Sequence, residues 1–295
     1  MFILFFLLNP VMAFESSKNG LILWFNQILP TLLPFAVISG VVLSSSLLSE
    51  SKFFQKNVGA FVIICGFLFG FPIGSKLSSD LCSSGKLSKK EGELLAAFTN
   101  NFSPFFVTSY VIHNQLQMSH LTWIFYLILY GIPFSFGCIG LYLLKRKENL
   151  LFTHDIKKAS RFQLNIQIID ASIISSFETL IKLCGYIIFF SILVQMIRTL
   201  SLPSDYLETG VVGLLEITNG IQVLAQSPFS ESQKFLLAIF FLGFGGLSGI
   251  MQTNSVISNS CMSIKNYIKI KLILLALQMT GAVCFLILCP QFLCQ

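Results

Sequence analysis

The chain has 295 residues, of which 54% are hydrophobic and only 11% charged, with 31 Phe and a mean hydropathy of +0.79. That leaves too little polar surface for a water-soluble fold of this length, so the protein is expected to be integral to a lipid bilayer. The formal net charge of +6 falls in short clusters that set topology, and no nucleic-acid partner is expected.

In chain order, Met1 to Ala13 is apolar and ends in Val-Met-Ala, as a signal-peptidase site does, but it carries no basic n-region. A short N-terminal helix or signal-like segment over 1–20 is expected, with residues 14 to 20 outside. Apolar runs at 21–48, 121–144, 172–199 and 271–290 each exceed the roughly 18 residues that mark a spanning helix. Two shorter segments, 58–75 and 210–225, are interrupted by GFLFGFPIG at 66–74 and by GLLEITNGI at 213–221. Each is followed by an apolar span, 92–112 and 234–258.

Most of the Lys and Arg fall in four loops. These hold Lys52 and Lys56; Lys76, Lys86, Lys89 and Lys90; Lys145, Arg146, Lys147, Lys157, Lys158 and Arg161; and Lys265, Lys269 and Lys271. Placing all four loops in the cytoplasm satisfies the positive-inside rule. The segment 58–75 then enters and returns from that side, and 210–225 re-enters from the opposite one. Ser88, Leu94, Leu95, Ala96 and Phe98 match Ser230, Leu236, Leu237, Ala238 and Phe240 at one constant offset. The expected fold is therefore all-α and integral to the membrane, an inverted repeat of helices with one re-entrant broken helix per half. The repeats occupy 21–144 and 172–295, joined by a basic cytoplasmic linker at 145–171. Glycine- or proline-broken helices at matching places in two halves mark a transporter's midplane site, because they free backbone polar groups for a solute or ion.

The candidate site residues are the polar groups at those breaks. Glu216, with Thr218 and Asn219 behind it, places a carboxylate at a depth where it is costly unless paired, protonated or ion-bound; a shallow loop exposing it to the outer aqueous face is the plainer alternative. Asn100, Asn101 and Ser103 interrupt the span at 92–112, either lining a cavity or holding helices together. Gln252 follows the glycine-rich run of the second half. Gly70, Pro72, Gly74, Gly220, Gly245 and Gly246 are the expected broken-helix backbone positions. No metal site and no cofactor is expected: the eight cysteines show no CxxC spacing, and His113, His120 and His154 stand alone. A P-loop is also missing, since GFPIGSK lacks the GxxxxGK[ST] spacing.

Four motifs carry a resemblance: GFPIGSK at 70–76, EGELLAAFTNNFSPF at 91–105, LLEITNG at 214–220 and GFGGLSGIMQ at 243–252. Together, across about Gly20 to Leu288, they resemble sporulation integral membrane proteins of the YlbJ type. The resemblance implies a nucleoside-recognition or gate domain, of the kind shared with concentrative nucleoside transporters and ferrous-iron permeases. It also implies a multi-pass protein of the bacterial cell membrane linked to spore envelope formation. The chain departs from the family in a shorter central linker and in having no appended GTPase domain. Two functions stay open. One is a transporter or permease of a small polar solute or ion; the other is a non-transporting scaffold that recruits envelope-assembly partners. No enzyme activity is expected, and self-association into a homo-oligomer is left open.

Overall fold

The computed structural model describes residues 7–44, 58–147, 165–199 and 203–289. Among them there are helices and connecting turns and no strand, as lipid requires when every backbone polar group must be satisfied within the chain. The expected linker at 145–171 and the end of the expected span at 21–48 fall largely outside the described residues.

The first helix, α1, runs over 10–44 through Pro10–Leu23, one π-helical turn at Trp24–Ile28, and Leu29–Ser44. Pro10 occupies its first turn, where the missing N–H costs nothing. A separate short helix ending near residue 20 is thus not what forms. The polar run Ser16 to Asn19 stays helical, with the Ser16 and Ser17 hydroxyls donating to the Met12 and Ala13 carbonyls one turn back.

Next come α2 (Val58–Phe69), α3 (Ile73–Ser83), α4 (Lys89–Thr99) and α5, which includes the π-helical stretch Phe106–Leu116. A long helix, α6, spans Ser119–Arg146. After the linker the order recurs: α7 (Ile166–Arg198), α8 (Asp205–Leu215), α9 (Ile217–Gln226), α10 (Glu231–Phe244), α11 (Gly246–Ile257) and α12 (Ile264–Leu288). Among the described residues, four helical stretches are long and apolar enough to cross a membrane: Ser119–Arg146, Ile166–Arg198, Glu231–Ile257 and Ile264–Leu288. The expected span at 92–112 is divided between α4 and α5 by the non-helical residues 100–103.

Matching residues start matching helices. Ser88 caps α4 by accepting from the Glu91 N–H while Glu91 reaches back to the Ser88 N–H, and Ser230 and Gln233 do the same for α10. Such a capping box satisfies two of the N–H groups that every helix start leaves unpaired.

Among the described residues the two largest hydrophobic cores each draw on both halves. Val62, Ile73, Leu77, Leu95 and Phe98 of α2–α4 pack with Ile257, Tyr267 and Leu274 from the end of the chain. Val111, Ile112, Phe125 and Leu129 of α5 and α6 pack with Ile221, Leu224, Phe235, Ile239 and Phe241. In lipid there is little hydrophobic drive between helices, so close packing decides which ones meet. Small residues supply that closeness. The Phe98 ring lies against Gly137 and the Phe241 ring against Gly213, where a Cβ would overlap the aromatic carbons. The long helix α7 lies along α1, with Gly20 against Ser191, Gly40 against Ser172, and the Trp24 indole N–H donating to the Leu180 carbonyl at 2.9 Å.

Candidate functional site

Two junctions between helix ends form the candidate site. At the first, the turn Gly70-Phe71-Pro72 between α2 and α3 abuts residues 100–103 between α4 and α5. Gly70 has φ 74°, a left-handed conformation that favours glycine, and a Cβ there would overlap the Ser103 backbone. The Phe71 N–H donates to the Asn101 carbonyl at 2.6 Å. Pro72 closes the turn and precedes α3. Gly74 is helical and breaks nothing: with Gly66 of α2 it lets the backbone close on Thr99, whose side chain a Cβ at either position would strike.

Asn100 ends α4 and is 3% exposed. Its Nδ2 donates to Thr253 Oγ1 of α11 and to the Tyr267 hydroxyl of α12, each at 3.1 Å, while its Oδ1 is buried without a partner. Asn101 donates from Nδ2 to the Phe98 carbonyl at 2.7 Å. Its Oδ1 accepts from Lys271 Nζ at 2.9 Å, and the same ammonium donates to the Asn100 carbonyl at 3.1 Å. Ser103 serves its own helix, its Oγ accepting from the Phe106 N–H. Gln252 is buried on α11 beside Thr253 and donates to Ser248 Oγ at 2.7 Å.

Lys271 is where the sequence reading needs correction. Taken as part of a basic cytoplasmic loop, it instead lies within α12 at 5% exposure. The signal was its helical phase: Tyr267, Lys271, Leu274 and Gln278 share one buried stripe at spacings of three and four, whereas Lys265 and Lys269 are exposed. Glu93 was also missed as an individual side chain. Buried on α4, it accepts from the Ser263 N–H at 2.8 Å and from Asn266 Nδ2 at 2.9 Å, so it fixes the start of α12.

At the second junction Glu216 is the single residue between α8 and α9. Its N–H continues the α8 ladder to Val212, and its side chain caps α9. Oε1 accepts from the Thr218 N–H at 3.0 Å, and Oε2 accepts from the Asn219 N–H and Nδ2, each at 2.8 Å. The carboxylate is 6% exposed, and the positive end of the α9 dipole faces it. Thr218 offers its carbonyl to the Tyr110 hydroxyl of α5 at 3.1 Å. Gly220 is helical, like Gly74, and serves close approach, its face resting on Gly213 of α8. Gly245 and Gly246, with φ of 87° and 68°, divide α10 from α11, and Gly246 faces the carbonyls of Leu214 and Leu215.

The Asn100, Asn101, Thr253, Tyr267 and Lys271 cluster is thus one connected network, while Glu216, Thr218 and Asn219 form a second at the other junction. No hydrogen bond joins the two among the described residues. Each network draws on both halves of the chain: α11 and α12 reach the first junction, and α5 reaches the second.

Four long apolar stretches, paired broken helices and polar networks enclosed among them define a multi-pass integral membrane protein. No family profile matches the chain, and no solved structure does. The chain is 29% identical over 307 residues to the sporulation integral membrane protein YlbJ of Bacillus subtilis (strain 168), an alignment covering 88% of this chain and 74% of that relative. The chain is therefore similar to a YlbJ-type sporulation membrane protein along most of its length.

Proposed function

We propose that the protein is a transporter or permease of a small polar solute or ion, built as an inverted repeat of the gate type and serving sporulation, as the name of its relative states for that protein. The observation that carries this reading is the reciprocal build of the two junctions. The turn between α2 and α3 rests on the α4–α5 break, and the α8–α9 turn rests on the α10–α11 break. Likewise α3 packs on α11 as α9 packs on α5, and α4 meets α12 as α10 meets α6. Such an exchange of partners is what a two-fold relation between halves produces. Broken helices at the crossing of two repeats are also the arrangement on which alternating access turns. The re-entrant paths of α2–α3 and α8–α9 belong to the same reading, as does the cytoplasmic placing of the basic loops. No residue in either network singles out a nucleoside, and no catalytic arrangement enters the reading.

The scaffold alternative draws on the little space beside the first junction. The cavity bounded by Asn101, Phe102, Val107, Leu129, Tyr130 and Leu242 is about 10 Å³, room for one water at most. A thermal-shift screen of polar solutes and ions on purified protein separates the two readings, because a ligand that binds only the folded state raises its stability. Transport predicts at least one solute whose stabilisation is lost in Asn101→Ala. A scaffold predicts none.

A further inference from the structure

We infer that Lys271 is a tethered cation: its ammonium fills a latent binding site for a small monovalent cation at the end of α4, so the protein carries its own charge where a bound ion would sit. The inference goes beyond transport, since it concerns a charge built into the fold and is tested by the contrast between Lys271→Ala and wild type.

The surroundings of Nζ are those of an ion site. Its partners are a main-chain carbonyl, Asn100 O at 3.1 Å, and a side-chain amide oxygen, Asn101 Oδ1 at 2.9 Å. Asn100 ends α4, so its carbonyl belongs to the set that a helix end leaves without an intrahelical donor, at the negative end of the dipole. The side-chain oxygen of the same residue, Asn100 Oδ1, is buried with no hydrogen-bond partner. Among the described residues no carboxylate pairs with Lys271. A full positive charge at 5% exposure is therefore held by neutral oxygens and a helix end alone. In broken-helix membrane proteins, unwound carbonyls and half-helix C-terminal ends are the groups that coordinate cations. The oxygens are neutral and no carboxylate joins them among the described residues, a set matched to a single positive charge, which points to a monovalent occupant.

The bland reading is that Lys271 is interhelical glue, joining α12 to the α4–α5 break. Removing the ammonium tells the two apart. Under glue, Lys271→Ala leaves a void that no ion fills selectively. Under a tethered cation, it uncovers an oxygen-lined vacancy the size of an ammonium group, which a soluble cation enters.

The test is thermal unfolding of detergent-purified wild type and K271A in potassium, ammonium, sodium or choline chloride at equal ionic strength. Wild type is expected to unfold at the same temperature in all four. K271A is expected to gain at least about 2 °C in one of the small cations over choline, and to lose that gain when Asn101→Ala is added. Recovery of folded K271A only in the presence of one small cation carries the same meaning. The inference is overturned if K271A responds to no cation, if it folds in none of the four salts, or if wild type shows an equal response.

Discussion

The main-chain N–H of Phe71 lies 2.6 Å from the carbonyl oxygen of Asn101, so the turn between α2 and α3 is hydrogen-bonded straight onto the break between α4 and α5. A backbone bond between two interruptions needs both to be bare at the contact. That explains why Gly70, Gly66 and Gly74 surround it and why their Cβ positions would fall on Ser103 and Thr99.

Substitution at Gly70 and Gly245, two of the left-handed glycines, separates conformational cost from steric cost. Gly245→Ala meets nothing within 4 Å and bears only the penalty of φ 87°, about 1–2 kcal/mol. Gly70→Ala bears the same penalty and also drives a methyl into the Ser103 backbone. Thermal unfolding in detergent is expected to show the larger loss for Gly70→Ala. Equal losses would mean that the α2–α3 turn can back away from the break.

Labelling tests the inverted repeat. Ser83 and Gln226 are the last residues of α3 and α9, and both are exposed. In a background without the eight native cysteines, Gln226→Cys is expected to react with an impermeant thiol reagent added outside intact cells. Ser83→Cys is expected to react only after the membrane is opened. Reaction of both from one side would remove the inversion.

Glu93 ties the two halves by accepting from the Ser263 N–H and from Asn266 Nδ2. Because the carboxylate is buried, Glu93→Ala strands a main-chain donor and is expected to cost about 1–3 kcal/mol. Asn266→Ala removes only one of the two bonds. In a double-mutant cycle read by unfolding free energy, the two changes are expected to fall short of additivity by about 0.5 kcal/mol or more. Full additivity would mean that the Asn266 bond contributes nothing.

How much of this could be read from the sequence depended on whether a residue's meaning was local. The interruptions at Gly70–Pro72, Asn100–Ser103, Glu216 and Gly245 were legible because glycine, proline and polar groups are costly inside an apolar helix and concentrate where the helix stops. Ser88 and Ser230 were legible only as matching positions of the two halves; that each closes a capping box with Glu91 or Gln233 follows the Ser-x-x-Glu/Gln spacing that marks a helix start. The continuity of α1 was not legible, since Ser16 to Asn19 has the composition of a loop, yet the hydroxyls of Ser16 and Ser17 turn back onto the Met12 and Ala13 carbonyls and leave the helix unbroken. Lys271 was hidden by its position at the edge of an apolar run, where a lysine ordinarily anchors topology. Its partners are residues 100 and 101, about 170 positions away, and no local pattern announces them.

Among the described residues Glu216 is the one acidic residue set between two helices at a junction, and its bonds define what its loss should do. Both carboxylate oxygens are in use, Oε1 on the Thr218 N–H and Oε2 on the Asn219 N–H and Nδ2. Its charge also faces the start of α9, where a helix dipole favours an anion. Glu216→Gln keeps the size but turns one oxygen into an amide nitrogen that cannot accept, so one main-chain N–H at a buried helix start goes unpaired. The expected loss is about 1–3 kcal/mol, seen as a lower unfolding temperature. Glu216→Asp keeps two acceptor oxygens, and aspartate is among the preferred caps, so the loss should be the smaller of the two. A Gln variant as stable as wild type would show that the cap is dispensable. A ligand role alongside the cap makes a further demand: wherever a solute or cation stabilises wild type, the folded Gln variant must lose the pH or cation dependence of that stabilisation, because it can neither carry a charge nor exchange a proton.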